Sequence, residues 1–597
     1  MADLKEQCRL LVANALNAFG NELGMEAVTT AEALVLETPP NPEMGDLGIP
    51  MFPFAKSFRQ APPAIAAKIV ALVQAQEAAQ QVGTFVAVGP YVNVKLNKGA
   101  AIAAVLEKIA SQKANYGAYE DEGKKPLDGR RVMVEFSSPN TNKPLHLGHL
   151  RNDALGESIS RILKAAGAEV FKVNIINNRG VHICKSMLAY QKFHQEKNET
   201  PESLGIKSDR FVGDCYVEFD KWNKADSTAE QLAQELLVKW EQGDESVHKL
   251  WKQMNDWAIQ GITQTYQRTG VSFDKLYYES ETYLKGREEI LKGLEDGIFY
   301  KEEDGSVWVD LEEINLDKKV LLRKDGTALY MTQDIGTAIY RHGDWPFNQL
   351  VYVVGSEQQY HFKVLFYVLK KLGYQWADQL YHLSYGMVNL PEGKMKSREG
   401  TVVDADDLIN SLRDGAMEEI VSKGREEAVG DPAAVAEKIA LGALHYYLLK
   451  ATPTKDMLFN PKESLSFNGD TGPYLQYMGA RICSILRKAQ EAGLAPLAAS
   501  EAASLLTHEA EWELVKVLEQ YPKILVKAAQ NLDPSQVAGY LYDVAKAFSR
   551  FYHDCPTLAL AQENVQLASA RLFLATCTRQ VLENGLDLIL VPFLETM

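Results

Sequence analysis

The chain has 597 residues, of which 46% are hydrophobic and 24% charged, and its formal net charge is −16 at pH 7. This composition is ordinary for a globular protein, and the length is too great for one core, so the usual domain size predicts about four domains. The negative charge argues only weakly against a nucleic-acid partner, because such binding needs no more than a local basic face.

Cysteine usage and hydropathy exclude several classes of protein. The six cysteines are scattered without a C-x-x-C pair, so the sequence predicts neither a zinc cluster nor a disulfide framework. No apolar run approaches the length that spans a bilayer, and no apolar signal core follows the first residues. We therefore expect a cytoplasmic protein that holds no zinc and contacts no membrane.

Residues 1–115 predict a small α+β domain. Helical periodicity covers residues 10–16 and 64–75, and the second of these helices starts at a proline pair, where proline is tolerated. Residues 86–96 alternate like a strand on both sides of a Gly-Pro turn. The polar stretch 113–127 predicts a linker, so the first domain boundary is expected close to residue 115.

Residues 116–409 predict a parallel sheet with an insertion. Segments 131–137, 149–166 and 170–176 alternate as strand, helix and strand, which is typical of a right-handed βαβ unit. Residues 195–270 are charged and contain tryptophans, and we interpret them as a helical insertion. Further strand signals lie at 307–309, 328–331 and 350–354.

Residues 410–597 predict long helices with few glycines or prolines, for example 511–529 and 538–551. The predicted fold class is therefore multidomain α/β. It combines a small α+β domain, a Rossmann-type parallel-sheet domain with an insertion, and an all-α C-terminal domain.

The most informative motif is PNTNKPLHLGH at residues 139–149, between a predicted strand and a predicted helix. His146 and His149 are three residues apart, so both imidazoles can lie on one face at a helix N-terminus, which favours an anion such as a triphosphate. Gly148 has no side chain, so a flat ring such as adenine could approach the backbone. The alternatives are a pair of structural histidines or a metal half-site, and zinc would need further ligands of suitable spacing.

A second motif, GKMKSREG at residues 393–400, carries Lys394, Lys396 and Arg398 between two glycines. Glycines on both sides predict a loop that moves and clamps phosphates as charge shifts onto pyrophosphate. The alternative is a solvated basic loop. A histidine pair followed by a distant K-M-x-S-type loop resembles the two signatures of class I aminoacyl-tRNA synthetases.

Four polar residues predict an amino-acid pocket. Glu135 precedes the segment 139–149, called here the histidine turn, and Asn140 lies within that segment. Tyr330 and Asp334 share a face if their segment is helical. Two carboxylates at one pocket call for a cationic side chain. A guanidinium fits best, because its planar fork matches a carboxylate.

The residues alone leave another interpretation open, in which these carboxylates form a buried ion pair with an arginine of the chain itself, Arg323 or Arg341. A resemblance to arginyl-tRNA synthetases favours the pocket. The segments that carry this resemblance are GDLG (45–48), GPYVN (89–93), EFSSPNTNKPLHLGHLR (135–151), LRKDGT (322–327), YMTQDI (330–335), SFNGDTGPYLQY (466–477) and FYHDCP (551–556). They span nearly the whole chain in the expected order.

The resemblance implies a role for each candidate site residue. Glu135 and Asn140 would hold the amino acid, Tyr330 and Asp334 would bind its guanidinium, and Gln358 would lie near it. The residues implied in ATP binding are His146, Gly148, His149, Met387, Val388, Met395 and Lys396. The residues implied in catalysis are Lys143, His146, His149, Lys394 and Lys396, with Lys143 matching a lysine that replaces a missing loop lysine.

The implied activity is that of an arginine–tRNA ligase, which activates L-arginine with ATP and transfers it to the 3′ end of its cognate tRNA. Mg²⁺ would accompany ATP, no zinc would be held, and the partners would be L-arginine and tRNA(Arg), with the protein a monomer. Residues 1–115 would contact the tRNA corner, 116–409 would form the catalytic domain, and 410–597 would bind the anticodon.

Three segments depart from the family pattern. The loop reads KMKSR instead of KMSKS, so the lysine that acts on the phosphate stays open. NNRG at 177–180 replaces a turn that more often contains aspartate, and the ending at 591–597 is unusual.

Other activities would require other residues. A cysteinyl enzyme needs zinc ligands, a glutamyl enzyme a cationic pocket, and a small nucleotidyltransferase no large flanking domains. An inactive tRNA-binding paralogue would have lost a motif histidine or the loop lysines, and all of these are present.

Overall fold

The computed structural model describes residues 2–118, 125–324, 326, 329–391 and 403–597. The chain forms two compact units. The first comprises Met1–Tyr116, Ile482–Tyr521 and Asp543–Leu582, and the second comprises Gly117–Arg481, Pro522–Tyr542 and Glu583–Met597. The domain boundaries expected near residues 115 and 409 stay predictions.

The N-terminal part of the first unit has the predicted α+β structure. Its strands β1 (Leu47–Pro50), β2 (Gly83–Val88) and β3 (Tyr91–Leu96) form an antiparallel sheet in the order β1-β3-β2. Its helices are α1 (Ala2–Glu22), α2 (Ala55–Phe58), α3 (Pro62–Gln74), α4 (Ala79–Val82) and α5 (Lys98–Gln112). The predicted strand at 86–96 is a hairpin that turns at Gly89, whose φ of 55° suits glycine. Leu16, Ile69 and Val94 are fully buried in one apolar core between helices and sheet.

The second unit is built on a parallel sheet of five strands in the order β11-β10-β4-β5-β6. In chain order, the strands of this unit are β4 (Arg131–Glu135), β5 (Glu169–Ile176), β6 (Lys275–Tyr278), β7 (Tyr300–Lys301), β8 (Val307–Val309), β9 (Lys319–Leu322), β10 (Gln349–Gly355), β11 (Leu380–Tyr385), β12 (Val388–Asn389) and β13 (Met457–Leu458). β4 runs through helix α6 (Leu147–Ala165) into β5, its parallel neighbour, which confirms the predicted βαβ unit. Ligands of such sheets bind at the carboxyl ends of the strands, where Glu135 lies.

The predicted insertion is helical. Between β5 and β6 lie α7 (Val181–Phe193), α8 (Pro201–Leu204), α9 (Ser208–Ala225), α10 (Thr228–Glu241) and α11 (Glu245–Thr269). Their apolar faces share a core of their own, which includes Met187, Phe211, Trp240 and Trp257. Tryptophans in a charged segment therefore marked the inner faces of amphipathic helices.

The strand signal at 328–331 was wrong for the residues that the structure describes. Tyr330 begins helix α13 (Tyr330–Asp344), and Met331, Ile335 and Ala338 are buried at helical spacing. The signal at 307–309 is a strand, but it belongs to a separate antiparallel sheet, β7-β8-β9. A short apolar run does not reveal which sheet, or which kind of element, it will join.

The remaining helices lie between strands of the second unit or follow β12 into the C-terminal region. They are α12 (Glu279–Glu295), α14 (Gln359–Lys371), α15 (Ala405–Ser422), α16 (Glu426–Val429), α17 (Pro432–Leu449), α18 (Pro461–Ser464), α19 (Gly472–Glu491), α20 (Ala499–Leu505), α21 (Glu509–Glu519), α22 (Tyr521–Asn531), α23 (Ser535–Asp554) and α24 (Val565–Leu588). Of these, α12 and α14 lie between strands, and α15 to α24 follow β12. The helices predicted within 511–529 and 538–551 are confirmed as α21, α22 and α23. Within the described ranges, no helix combines the length and the apolar character needed to cross a membrane.

Candidate active site

The chain leaves β4 through a strained turn. Ser137 and Ser138 have φ values of 75° and 50°, a region that residues other than glycine rarely adopt and that costs about 1–3 kcal/mol each. Two asparagine carbonyls hold the turn: Asn152 Oδ1 accepts from Ser137 N at 2.6 Å, and Asn174 Oδ1 accepts from Ser138 N at 3.0 Å. The strain is thus fixed by α6 and β5, and it directs the chain along the carboxyl edge of the sheet.

His146 and His149 form a capping box at the start of α6. The Nδ1 atom of His146 accepts from Gly148 N at 3.1 Å, and the Nδ1 atom of His149 accepts from His146 N at 3.2 Å. Because Nδ1 is the acceptor in both rings, the neutral tautomers carry their hydrogen on Nε2. Both imidazoles therefore have an Nε2–H group that their helix does not use.

Burial keeps these imidazoles neutral. Desolvation and the nearby Lys143 ammonium lower the pKa of His146 to about 4. Desolvation, His146 and Lys143 lower the pKa of His149 well below its ordinary value. Burial also lowers the pKa of Lys143 itself. The turn thus gathers two neutral N–H donors and one cation, a set that suits phosphate oxygens.

Gly148 is required by the cap. A Cβ atom at this position would lie 2.9 Å from Cε1 of His146 and 3.0 Å from its Nδ1. The absence of a side chain lets the His146 ring fold back over the first turn of α6. This reason stands beside the one predicted from sequence, which was room for an adenine ring.

Glu135, at the end of β4, is 6% exposed and forms an ion pair with Arg341. The other carboxylate oxygen accepts from the Ser138 hydroxyl at 3.2 Å. An ion pair with one of the chain's own arginines, the alternative that the sequence left open, is therefore present, and its partner is Arg341 and not the exposed Arg323. Within the described ranges Asp334 pairs with no arginine; its carboxylate meets His361 Nε2 at 2.5 Å.

A third carboxyl group, Glu279, was missed by the sequence reasoning. It directly follows β6 and is 7% exposed, and burial and the nearby Asp334 raise its pKa to about 7 while Arg179 opposes them. Its position was the available signal, because an acidic residue directly after a parallel strand lies at the ligand-binding edge.

The three carboxyl groups form a cluster with an unbalanced charge. Glu135 and Glu279 each face an arginine, Arg341 and Arg179 respectively. Asp334 lies near both carboxyl groups and adds to the field on each. Among the described residues, the guanidinium groups of Arg341 and Arg179 and the imidazole of His361 face these three carboxyl groups. Arg179 also pairs with Glu241 at 2.9 Å, so carboxyl groups outnumber guanidinium groups at this place.

Three profiles of known families match the chain. They are described as "tRNA synthetases class I (R), catalytic domain" over residues 109–461, "DALR anticodon binding domain" over 475–597 and "Arginyl tRNA synthetase N terminal domain" over 6–96. The arginine–tRNA ligases of Treponema denticola and Treponema pallidum are 61% and 56% identical to it, each over the full length of both chains. The chain belongs to the arginyl-tRNA synthetase family. The solved arginyl-tRNA synthetase of Thermus thermophilus is 27% identical, with a TM-score of 0.72 over 98% of this chain and 99% of that one.

Membership of the family does not by itself establish the role of each predicted site residue. Tyr330 is 72% exposed at the start of α13, one turn before Asp334 on the same face. Asn140 is exposed and bridges to Asn177 beside β5, and Gln358 is exposed in a 3₁₀ turn, Ser356–Gln358, directly after β10. All three lie at or just beyond strand ends or a helix N-terminus. Their contacts with a substrate stay predictions.

Met387 and Val388 lie where β12 meets β13. Met457 N donates to Met387 O at 2.8 Å, and Phe459 N donates to Asn389 O at 2.7 Å. Since backbone groups alternate along a strand, the N–H and C=O groups of Val388 point to the other edge. The Val388 side chain is buried, so only its backbone could contact an adenine. The predictions for Lys394, Met395 and Lys396 lie outside the described residues.

One group of potential metal ligands occurs in the described part of the chain: His194, Cys215 and Glu218, whose ligand atoms lie within 4.8 Å of one another. Both ring nitrogens of His194 already meet carboxylates, Glu199 at 2.7 Å and Glu218 at 2.8 Å. Hydrogen bonds and ion pairs therefore explain this group without an ion. It lies in the helical insertion and not among the histidine-turn residues.

Asp153, a buried residue of α6, makes the stability of the fold depend on pH. It is 1% exposed on α6, and burial raises its pKa from 3.8 to about 8, with Glu157 adding to the shift and Ser137 opposing it. The folded state therefore holds a proton that the unfolded chain releases above pH 3.8, so Asp153 lowers stability progressively as pH rises from about 4 to 8.

Asp153→Asn is expected to raise the free energy of unfolding at pH 8 and to change it little at pH 4, because the amide has the same shape and carries no charge. Urea unfolding at the two pH values checks this. Asp128→Asn, in an exposed turn, is the control. An equal effect of Asp153→Asn at both pH values would contradict the assignment.

Proposed function

We propose that this chain is an arginine–tRNA ligase, which converts L-arginine and ATP to arginyl-adenylate and pyrophosphate and then esterifies tRNA(Arg). The observation that carries the substrate assignment is the carboxyl cluster of Glu135, Glu279 and Asp334, which two guanidinium groups and the His361 imidazole face among the described residues. A third guanidinium, that of the substrate, would complete it. A planar donor group pairs with carboxylates better than an ammonium does.

In the first step, the arginine carboxylate attacks the α-phosphorus of ATP and pyrophosphate leaves. No residue of the chain becomes covalently attached, so the barrier is lowered by positioning and by charge stabilisation. His146 and His149 would donate from Nε2 to phosphate oxygens, and Lys143 would meet the charge that develops on pyrophosphate. Lys394 and Lys396 would act from the following loop, and Met395 would help to bind ATP.

Mg²⁺ would arrive with ATP. The basic side chains of the histidine turn are Lys143, His146 and His149, which suit phosphate oxygens better than they suit Mg²⁺. The ion would therefore be held by the phosphates and water, as is usual for magnesium with nucleotides.

In the second step, a ribose hydroxyl of the terminal tRNA adenosine attacks the carbonyl carbon of the adenylate. The ester bond forms, the carbonyl–phosphate bond breaks and AMP leaves. The amino acid would be held for both steps by Asp334, Glu279 and Glu135, with Tyr330, Asn140 and Gln358 around it. A neutral side chain such as that of citrulline would leave buried charge unpaired, which discriminates by factors of roughly 10⁴ in sites of this kind.

The direct test is ATP–pyrophosphate exchange with each of the twenty amino acids, with and without total tRNA. Exchange with arginine alone among the amino acids is the expected result. Exchange with lysine or with a neutral amino acid would overturn the substrate assignment and leave the class I fold intact.

A cavity in the second unit supports RNA as the macromolecular partner. It has a volume of about 280 Å³ and is lined by Glu419, Ile420, Lys423, Arg425, Ile439, Phe467, Asn468, Tyr477 and Met597. The rings of Phe467 and Tyr477 and the amide of Asn468 are groups that stack on and read an unpaired base. The two cations of the wall already have partners: Lys423 pairs with Glu419 at 2.7 Å, and Arg425 donates to Met597 O at 2.8 Å. Its wall includes residues of the DALR match.

Phe467→Ala is expected to raise the KM for tRNA about 10-fold, because base–aromatic stacking contributes about 1–3 kcal/mol per base. The KM for ATP should not change. Aminoacylation at varied tRNA concentration measures the first, and Tyr381→Ala, which removes an exposed ring on β11, is the matched control. An unchanged KM for tRNA would exclude Phe467 as a contact.

The remaining parts of the proposal are cellular location and assembly. All six cysteines are buried and none forms a disulfide, which favours a reducing compartment such as the cytoplasm. We propose a monomer that carries one complete site of this kind. Light scattering at micromolar concentration would test the assembly.

A further inference from the structure

Arg341 is one of the most deeply buried charged residues of the described chain. It lies on α13 with 1% exposure, two turns after Asp334, and its guanidinium pairs with Glu135. Tyrosine rings flank it: the centroid of Tyr277 is 5.2 Å from Cζ and that of Tyr352 is 5.9 Å away. The three strands β4, β6 and β10 thus each supply one side chain that faces this guanidinium.

Stability does not explain a guanidinium in this position. Nε and Nη2 of Arg341 have no hydrogen-bond partner among the described residues. A buried ion pair with unmatched donors is no more stable, and is often less stable, than apolar side chains of the same volume. The buried Arg341 guanidinium therefore does not add to stability, and the group that it stabilises is the ionised carboxylate of Glu135.

We propose that Arg341 is a positioning residue, which holds the Glu135 carboxylate ionised and turned so that its second oxygen faces the substrate. This inference rests on the proposed function, in which Glu135 helps to hold arginine. The second oxygen is the one beside the Ser138 hydroxyl, 3.2 Å away. Arg341 itself touches no substrate.

Electrostatics gives Arg341 a measurable effect. The groups that face Glu135 are Arg341 and Asp334 from α13, Ser138 from the turn and Tyr352 from β10. Burial and Asp334 raise the pKa of Glu135, and Arg341 is the cation that opposes them. Even with Arg341 in place, the pKa of Glu135 is raised above its ordinary value. Without that cation the pKa would rise further, so a larger fraction of Glu135 would carry a proton, and a neutral carboxyl group attracts a cationic substrate poorly.

The test is Arg341→Gln, assayed by ATP–pyrophosphate exchange with tRNA between pH 6.5 and 9. The KM for arginine should rise about 10-fold or more at pH 7 and recover as the pH rises, since Glu135 ionises again; the KM for ATP should stay unchanged. Wild type should show a smaller change in the KM for arginine over the same pH range. Arg571→Gln, which breaks a buried arginine–glutamate pair in the other unit (Arg571 to Glu511, 2.7 Å), is the matched control: it should lower the melting temperature and leave the KM for arginine unchanged.

A double-mutant cycle separates positioning from general damage. If Arg341 acts through Glu135, adding Arg341→Gln to Glu135→Gln should change the KM for arginine less than twofold further. Additive effects, or a rise in KM that does not depend on pH, would overturn the proposal. Should Arg341→Gln fail to fold, Arg341→Lys keeps the charge and should keep the wild-type pH profile; a lost profile in a folded Lys variant would also overturn it.

Failure of the proposed function would look different. Wild-type protein would then exchange with an amino acid other than arginine, and the same cycle, run with that amino acid, would still report whether the two residues act as one unit.

Discussion

Asp334→Asn is expected to lower kcat/KM for arginine about 10²–10³-fold in ATP–pyrophosphate exchange and to leave the KM for ATP unchanged. Among the described residues, Asp334 is the member of the carboxyl cluster that faces no arginine. Its carboxylate meets the His361 ring instead, so its charge is the one that a substrate guanidinium would match. Removing one partner of a desolvated charge pair costs about 2–5 kcal/mol, which corresponds to that loss. Steady-state exchange at saturating tRNA, with each substrate varied in turn, measures it.

The control for Asp334→Asn is Asp378→Asn. Asp378 is exposed and pairs with Lys370 on the surface, where an ion pair contributes little. The chemical change is the same, so any general effect of losing one negative charge appears in both variants. Near-wild-type kcat/KM for arginine in the Asp334 variant would remove Asp334 from the pocket.

Most elements of the catalytic fold could be predicted, because their patterns are long. The helix α6 shows a clean helical period over 19 residues, and so do α21 and α23 over their own lengths. The flanking strands β4 and β5 were recognised as short apolar runs on either side of α6. The stretch at 328–331 is short, and its apolar residues fit both periods until Ile335 and Ala338 are counted with them. The order of the sheet, with β10 between β11 and β4, follows from pairing between strands that are far apart in sequence, so no local pattern announces it.

The residues of the candidate site also differ in how far the sequence could predict them. The histidine turn is one continuous segment, so its motif identified His146, Gly148 and His149 as candidate site residues without knowledge of the fold. The carboxyl cluster comes from β4, from the residue after β6 and from α13. The sequence identified Glu135 and Asp334 as candidates and missed Glu279. The sequence offered a pocket or an ion pair for Glu135 as alternatives, yet Glu135 pairs with Arg341 while Asp334 does not. The ion pair is therefore present at Glu135, and the pocket stays a prediction for Asp334.

Buried charge is the part that sequence reasoning handles least well. The net charge of −16 does not show that carboxyl groups gather near the carboxyl ends of the strands, and Glu279 belongs to no recognised sequence motif. Its pKa of about 7 arises only because the fold buries it beside Asp334. Such shifts need the three-dimensional neighbourhood, since desolvation and nearby charge are not sequence properties.

His146→Asn is expected to lower kcat for exchange roughly 10²-fold with little change in stability. The asparagine side chain can still accept from Gly148 N and cap α6, because asparagine is among the best N-cap residues. It is too short to replace the Nε2–H group, which would donate to the phosphates, and losing one such donor costs about 10²–10³ in kcat elsewhere. His146→Gln makes the opposite change: it restores a donor near Nε2 and weakens the cap. It should therefore keep more activity and lose more stability than His146→Asn.

His508 provides the matched control for this reasoning. It caps α21 in a similar way: Nδ1 accepts from Ala510 N at 3.1 Å and lies 3.3 Å from Cys555 Sγ, and Glu511, in place of a second histidine, completes the capping box. His508→Asn should therefore cost as little stability as His146→Asn and should leave exchange unchanged, since its Nε2 meets no substrate in the proposed mechanism. Thermal melts and exchange rates on the four proteins, wild type included, decide the matter. If His146→Asn and His508→Asn reduce activity alike, the effect comes from helix capping; if only the former does, the Nε2–H donor of His146 acts on the phosphates.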